Sequence, residues 1–124
     1  MTPWPNYEVV YYRDRRGKCP TKEFLDLLPE KVRAKFLKWI QLLEEKGPHL
    51  PRPYADVLRA KIRELRLKFG SEQYRFLYFF HGKIAVLTHG FLKKMDEVPE
   101  EEIERAIRCM NDFLIRSKGG EIKL

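Results

Sequence analysis

Apolar and polar positions change period along this chain, and the changes mark its elements. From Glu30 to Lys46, Val32, Phe36, Trp39, Ile40 and Leu43 recur at helical spacing. They predict an amphipathic helix that Gly47-Pro48 ends. A second long helix is predicted after Pro99, where Glu100, Glu101 and Glu102 favour the positive end of the helix dipole. Ile103, Ala106, Ile107, Met110, Phe113 and Leu114 form its apolar face, and Gly119-Gly120 stops it. A shorter helix is expected after Cys19-Pro20, with Thr21 as its N-cap and Phe24, Leu25 and Leu28 as its apolar side, broken by Pro29. His49–Leu58, with Pro51 and Pro53, reads as irregular.

Elsewhere the period drops to two. Tyr7–Tyr12 is a β-rich run closed by the charged turn Arg13–Lys18. Lys61–Lys94 holds three further runs separated by short polar breaks, the pattern of a three-strand meander. In the first run Leu65, Leu67 and Phe69 share a core face, with Arg66 and Lys68 opposite. The second run is apolar on both faces except at Gln73 and Arg75. Gly90 in the third marks a bulge or a close backbone approach. The order β, α, α, β, β, β, α predicts an α+β fold: an antiparallel sheet of one N-terminal strand plus the meander, with helices packed to one side. The 124 residues suit one domain, with 119–124 as a frayed tail.

Composition narrows the class. With 44% hydrophobic and 35% charged residues the chain is neither disordered nor fibrous. No apolar run reaches the ~20 residues of a membrane span, and MTPWPNYEVV does not read as a secretory leader. Cys19 and Cys109 match no metal spacing, so reduced thiols in a cytoplasmic protein are expected, with a single disulfide as the alternative.

Charge adds more. The net charge of +7 is carried entirely by Arg59–Lys94, where nine cations meet two anions. A positive field interleaved with sheet residues favours a polyanion, nucleic acid above all, over a merely solvated surface. No P-loop, GxGxxG, GxSxG, HExxH or CxxC is present, so neither a metal nor a cofactor is expected. His49 reads as plain surface.

Arg66 and Lys68 project from one strand, Arg75 from its neighbour, and Lys93-Lys94 from the end of the third. With strands ~4.8 Å apart, such cations can converge on one phosphate. Arginine suits this role because its planar fork donates two parallel bonds. A cluster of this kind can hold an RNA phosphate and stabilise the added charge of an in-line transition state without metal, the ribose 2′-OH being the nucleophile. His89, Tyr74 and Tyr78 are the candidates for general base and acid, although each reads first as a packed sheet residue. Lys61, Arg63, Lys68 and His89 are candidates for flanking RNA contacts.

The segments Glu64-Leu65-Arg66, Tyr74–Phe80, His89–Lys94 and Pro99-x-x-Glu102-Ile103 resemble, in that order, the RelE/HigB superfamily of toxin–antitoxin toxins. Within it the chain is most similar to the phage-derived HigB-like group. The resemblance runs from about Tyr7 to Leu114. It implies the small RelE-like α+β domain, cleavage of mRNA, often on the ribosome, and an antitoxin partner, usually a helix-turn-helix protein. By the same resemblance Arg66 and Arg75 match the strand cations that polarise the phosphate, and Lys93 or Lys94 the basic residue ending the last strand. The chain departs from the RelE pattern in having no tyrosine after Lys94. The sister ParE branch shares the fold but poisons DNA gyrase without cutting RNA, so a gyrase-directed or other non-catalytic binding module is the alternative.

Overall fold

The computed structural model describes residues 6–122. The elements follow in the order β1 (Glu8–Tyr11), α1 (Pro20–Asp26), α2 (Glu30–Lys46), β2 (Ala55–Val57), β3 (Arg63–Phe69), β4 (Glu72–His81), β5 (Ile84–Lys93) and α3 (Glu100–Lys118). The α+β class is as expected. The sheet, however, has five strands in the order β1-β5-β4-β3-β2 and is mixed. The meander β3-β4-β5 is antiparallel, whereas β1 runs parallel to β5, with Val9 opposite Ala85 and Tyr11 opposite Leu87. β2 lies in the stretch expected to be irregular. Its three residues pair with Arg63–Leu65, too short a run to show a period in the sequence.

The helices cover both faces of the sheet, not one. On the α2 side Val32, Phe36, Ile40 and Leu43 pack on Leu65, Leu67, Tyr74, Phe76 and Leu87. On the other side Ala106, Met110 and Phe113 of α3 pack on Ile62, Leu77, Phe79 and Val86. This is why the second run is apolar at nearly every position: β4 is central and buried on both faces. Phe69 and Leu114, expected in the core, are 39% and 37% exposed: Phe69 ends its strand, and Leu114 lies at the margin of the α3 face whose Phe113 and Arg116 are buried.

Local corrections have local causes. Cys19, not Thr21, is the N-cap of α1, and Pro20 occupies the first turn. Thr21 is buried with its hydroxyl 3.5 Å from the Leu87 carbonyl. Gly90 is a close approach: a Cβ there would come within 2.6–2.7 Å of the Phe24 and Phe76 rings. The bulge falls nearby, where the β4–β5 register shifts between Leu77 and Tyr78 and leaves Thr88 as the extra residue. Both cysteines are free thiols. Of the expected tail, the Glu121 N–H donates to the Arg116 carbonyl at 2.9 Å, and Arg15 holds the Glu121 carboxylate at 2.6 Å. Residues 123–124 lie outside the described residues.

Candidate functional site

The α3 side of the sheet is only half covered. Beyond the α3 contact its residues form cross-strand rows: Glu64, Leu77 and His89; then Arg66, Arg75 and Phe91; then Lys68, Gln73 and Lys93. Alternation therefore puts Arg66, Arg75 and Lys93 on one face. They line one open groove of about 530 Å³, bounded by β2, the loop after β5 and the first turn of α3. All three line the same groove, whereas Lys94, expected with them, does not.

The three are not equivalent. Arg75 is 3% exposed and forms the floor. Its Nε lies 2.9 Å from Glu64 Oε1. Its Nη2 donates to Gln73 Oε1 at 2.9 Å and its Nη1 to the Tyr74 carbonyl at 3.1 Å. Burial pushes the guanidinium below the ordinary arginine value, with Glu64 opposing and Arg66 adding to the shift; an arginine stays protonated regardless. The Nε–Glu64 contact is close in charge terms but misaligned, so both atoms lack a hydrogen-bond partner. Arg66 is half-buried and Lys93 half-buried at the end of β5. Among the described residues neither has a carboxylate within ion-pairing distance.

Sequence reasoning missed the acids. Five cations line the groove and so do five carboxylates, Asp56, Glu64, Asp96, Glu97 and Glu100. Arg52 holds Asp56 at 2.5 Å, and its hydrogen bond keeps that carboxyl below the usual carboxylate range. Arg59 pairs with Glu100. Asp96 and Glu97 make no ion pair among the described residues. The lining of the groove is thus balanced in charge, while Lys61, Arg63, Lys68, Lys83 and Lys94 of the basic segment lie outside it. The signal was available: Asp96 and Glu97 follow Lys93-Lys94 so closely that they must share its end of the sheet.

Other candidates lie elsewhere. Lys94 and Lys68 are exposed outside the groove lining, and Lys61 sits in the loop before β3 with φ of 72°. Arg63 faces the α2 side, its guanidinium 5.3 Å from the Phe80 ring. Tyr74 and Tyr78 are buried on that same side, and burial pushes the Tyr78 hydroxyl up to about 12. His89 is fully buried, with Nδ1 3.1 Å from Thr88 Oγ1 and Nε2 3.0 Å from Glu102 Oε1. Burial, then Arg105 and Arg108, lower its pKa to about 3, so the ring is neutral at ordinary pH. None of the three proposed acid–base residues reaches the groove.

Among the described residues no cluster of His, Cys, Asp and Glu could hold a metal ion, and no helix is long and apolar enough to cross a membrane. The family described as "Phage derived protein Gp49-like (DUF891)" matches residues 23–111, which run from within α1 through the first two thirds of α3 and hence include every strand of the groove. No curated protein matches the chain significantly.

Proposed function

The chain belongs to the Gp49-like family of phage-derived proteins, a family of RelE/HigB-like toxins, and from that premise we propose that it is the toxin of a type II toxin–antitoxin pair that cuts mRNA. The observation that carries the reading is the groove in which Arg66 and Lys93, both without a carboxylate partner among the described residues, flank the buried Arg75. Arg66 and Lys93 grip the two non-bridging phosphate oxygens. Arg75, fixed in the floor, supports the two from below, its charge largely offset by Glu64 at 2.9 Å.

The 2′-OH attacks its own phosphorus, the P–O2′ bond forms and the P–O5′ bond breaks. The products are a 2′,3′-cyclic phosphate and a 5′-OH. With His89, Tyr74 and Tyr78 out of reach, Asp96 or Glu97 takes the 2′-OH proton and the Lys93 ammonium protonates the departing oxygen. The partner in this reading is an antitoxin of helix-turn-helix type that covers the groove or α2. Overexpression should arrest growth, and a folded Arg66→Ala/Lys93→Ala variant should not; arrest by that folded variant overturns the proposal.

The local balance of charge favours a second reading, a ParE-like module that binds gyrase without cutting RNA. Incubation with RNA in chelator separates the two. New 5′-hydroxyl ends, there or on ribosome-bound mRNA without chelator, support the nuclease, and RNA left intact in both supports the binding module.

A further inference from the structure

Arg66 stands directly opposite Arg75. Its N–H donates to the Tyr54 carbonyl at 2.7 Å, and its own carbonyl accepts the Trp39 indole N–H at 2.8 Å. Both backbone groups therefore face away from β4, so Arg66 and Arg75 form a non-hydrogen-bonded pair. In such a pair the Cα atoms are only ~4.5 Å apart and the side chains are at their closest. Like charges directly opposite each other repel. Arg75 is pinned by Glu64, Gln73 and Tyr74, so the repulsion acts on Arg66.

Next to β2, whose register with β3 ends at Ala55 opposite Leu65, Tyr54 makes only half of a ladder pair with Arg66. Its carbonyl accepts the Arg66 N–H, but its own N–H donates to the Pro51 carbonyl at 3.0 Å, leaving the Arg66 carbonyl to another donor. From there α2 takes over. Trp39 caps the Arg66 carbonyl, and Lys35 Nζ caps the next outward-facing one, that of Lys68. The spacing fits: helix residues four apart rise ~6 Å and strand residues two apart ~6.7 Å. Trp39 is also braced, with Lys35 Nζ 5.1 Å above its ring and Tyr54 edge-on at 5.3 Å.

We propose that Trp39 is a positioning residue of the groove: its indole N–H, from the far side of the sheet, fixes the strand at Arg66 and so aims that guanidinium at an RNA phosphate. This rests on the reading of the groove as an RNA phosphate site. The test is binding of a non-cleavable 2′-O-methyl RNA oligonucleotide over a range of salt, using the full chain. Trp39→Phe keeps an aromatic ring but removes the donor. Replacing Trp39 by 3-benzothienylalanine keeps the bicyclic shape and removes only the N–H, which covers a Phe variant that fails to fold.

Each should weaken binding about tenfold and lower the salt slope by about 0.7, the share of one single-strand phosphate contact. Neither should weaken binding further in an Arg66→Ala background, because the effect passes through Arg66. A general structural role would weaken both backgrounds alike. That result, or wild-type affinity and slope with benzothienylalanine, overturns the positioning role while the phosphate site stands. An Arg66→Ala variant that binds RNA as tightly as the wild type overturns the groove reading itself, and the positioning role with it.

Discussion

On the α2 side of the sheet, Leu65, Leu67, Tyr74, Phe76 and Leu87 form an unbroken apolar layer under two helices. On the α3 side the same strands begin alike, with Ile62, Leu77, Phe79 and Val86, and then change to Glu64, Arg66, Arg75 and Lys93 where α3 ends its cover. One surface is built for burial throughout, the other for burial in one half and charge in the other. The backbone is shared, so the first surface provides the rigidity that the charged half needs in order to hold like charges side by side.

Substitutions separate the two surfaces. Phe76 is fully buried against Phe24 and Phe36, with ring centroids at 5.7 and 4.5 Å. Phe76→Ala should cost about 3–5 kcal/mol in urea unfolding. A much smaller loss would mean the apolar layer is not the main support. Next is Glu64→Ala, which strands the buried Arg75 without its counter-charge and should cost about 3 kcal/mol. An unchanged urea midpoint would show that Arg75 does not depend on Glu64.

Acid should act through His89. Its folded pKa of about 3 lies below the ordinary 6.5, so its contribution is complete above about pH 6.5 and is lost as pH falls towards 3. Glu102, raised by burial, works in the opposite sense: its contribution is complete below the ordinary glutamate value and is lost as pH rises. Stability should therefore fall between neutral pH and about pH 5, and the fall should be smaller in His89→Gln. Equal pH profiles for the two proteins would remove His89 as the cause. The smallest effect is that of Arg66→Ala on stability, within about 0.5 kcal/mol, because a half-exposed side chain without an ion pair leaves nothing stranded. A large loss there would make Arg66 a structural residue and weaken the contrast between the surfaces.

The helices α2 and α3 and the strands of the meander were legible because each is long enough to repeat its period several times. The facing of Arg66 followed from alternation, whereas that of Arg75, on a strand apolar on both faces, needed the β3–β4 register. The three-residue β2 was not legible, nor was the parallel pairing of β1, since pairing direction leaves no trace in a single strand. Placement of helices on both faces is implicit in the doubly apolar β4, but periodicity alone does not say which helix covers which face. Alternation cannot show the burial of His89, because what encloses it, Phe91 stacked at 5.7 Å and Thr88 and Glu102 hydrogen-bonded at 3.1 and 3.0 Å, includes a residue of α3. The acids of the groove were hidden by a competing explanation, since carboxylates at a helix start already have a local reason to be there.

The parallel register of β1 against β5 has a consequence for synthesis. Each hairpin of the meander joins neighbours in sequence and can close soon after it leaves the ribosome. β1 emerges first, yet its partner is the last strand made. The nascent N-terminal segment must therefore wait, unzipped, until Ile84–Lys93 is out, and in pulsed hydrogen exchange its amides should become protected after those of β3 and β4.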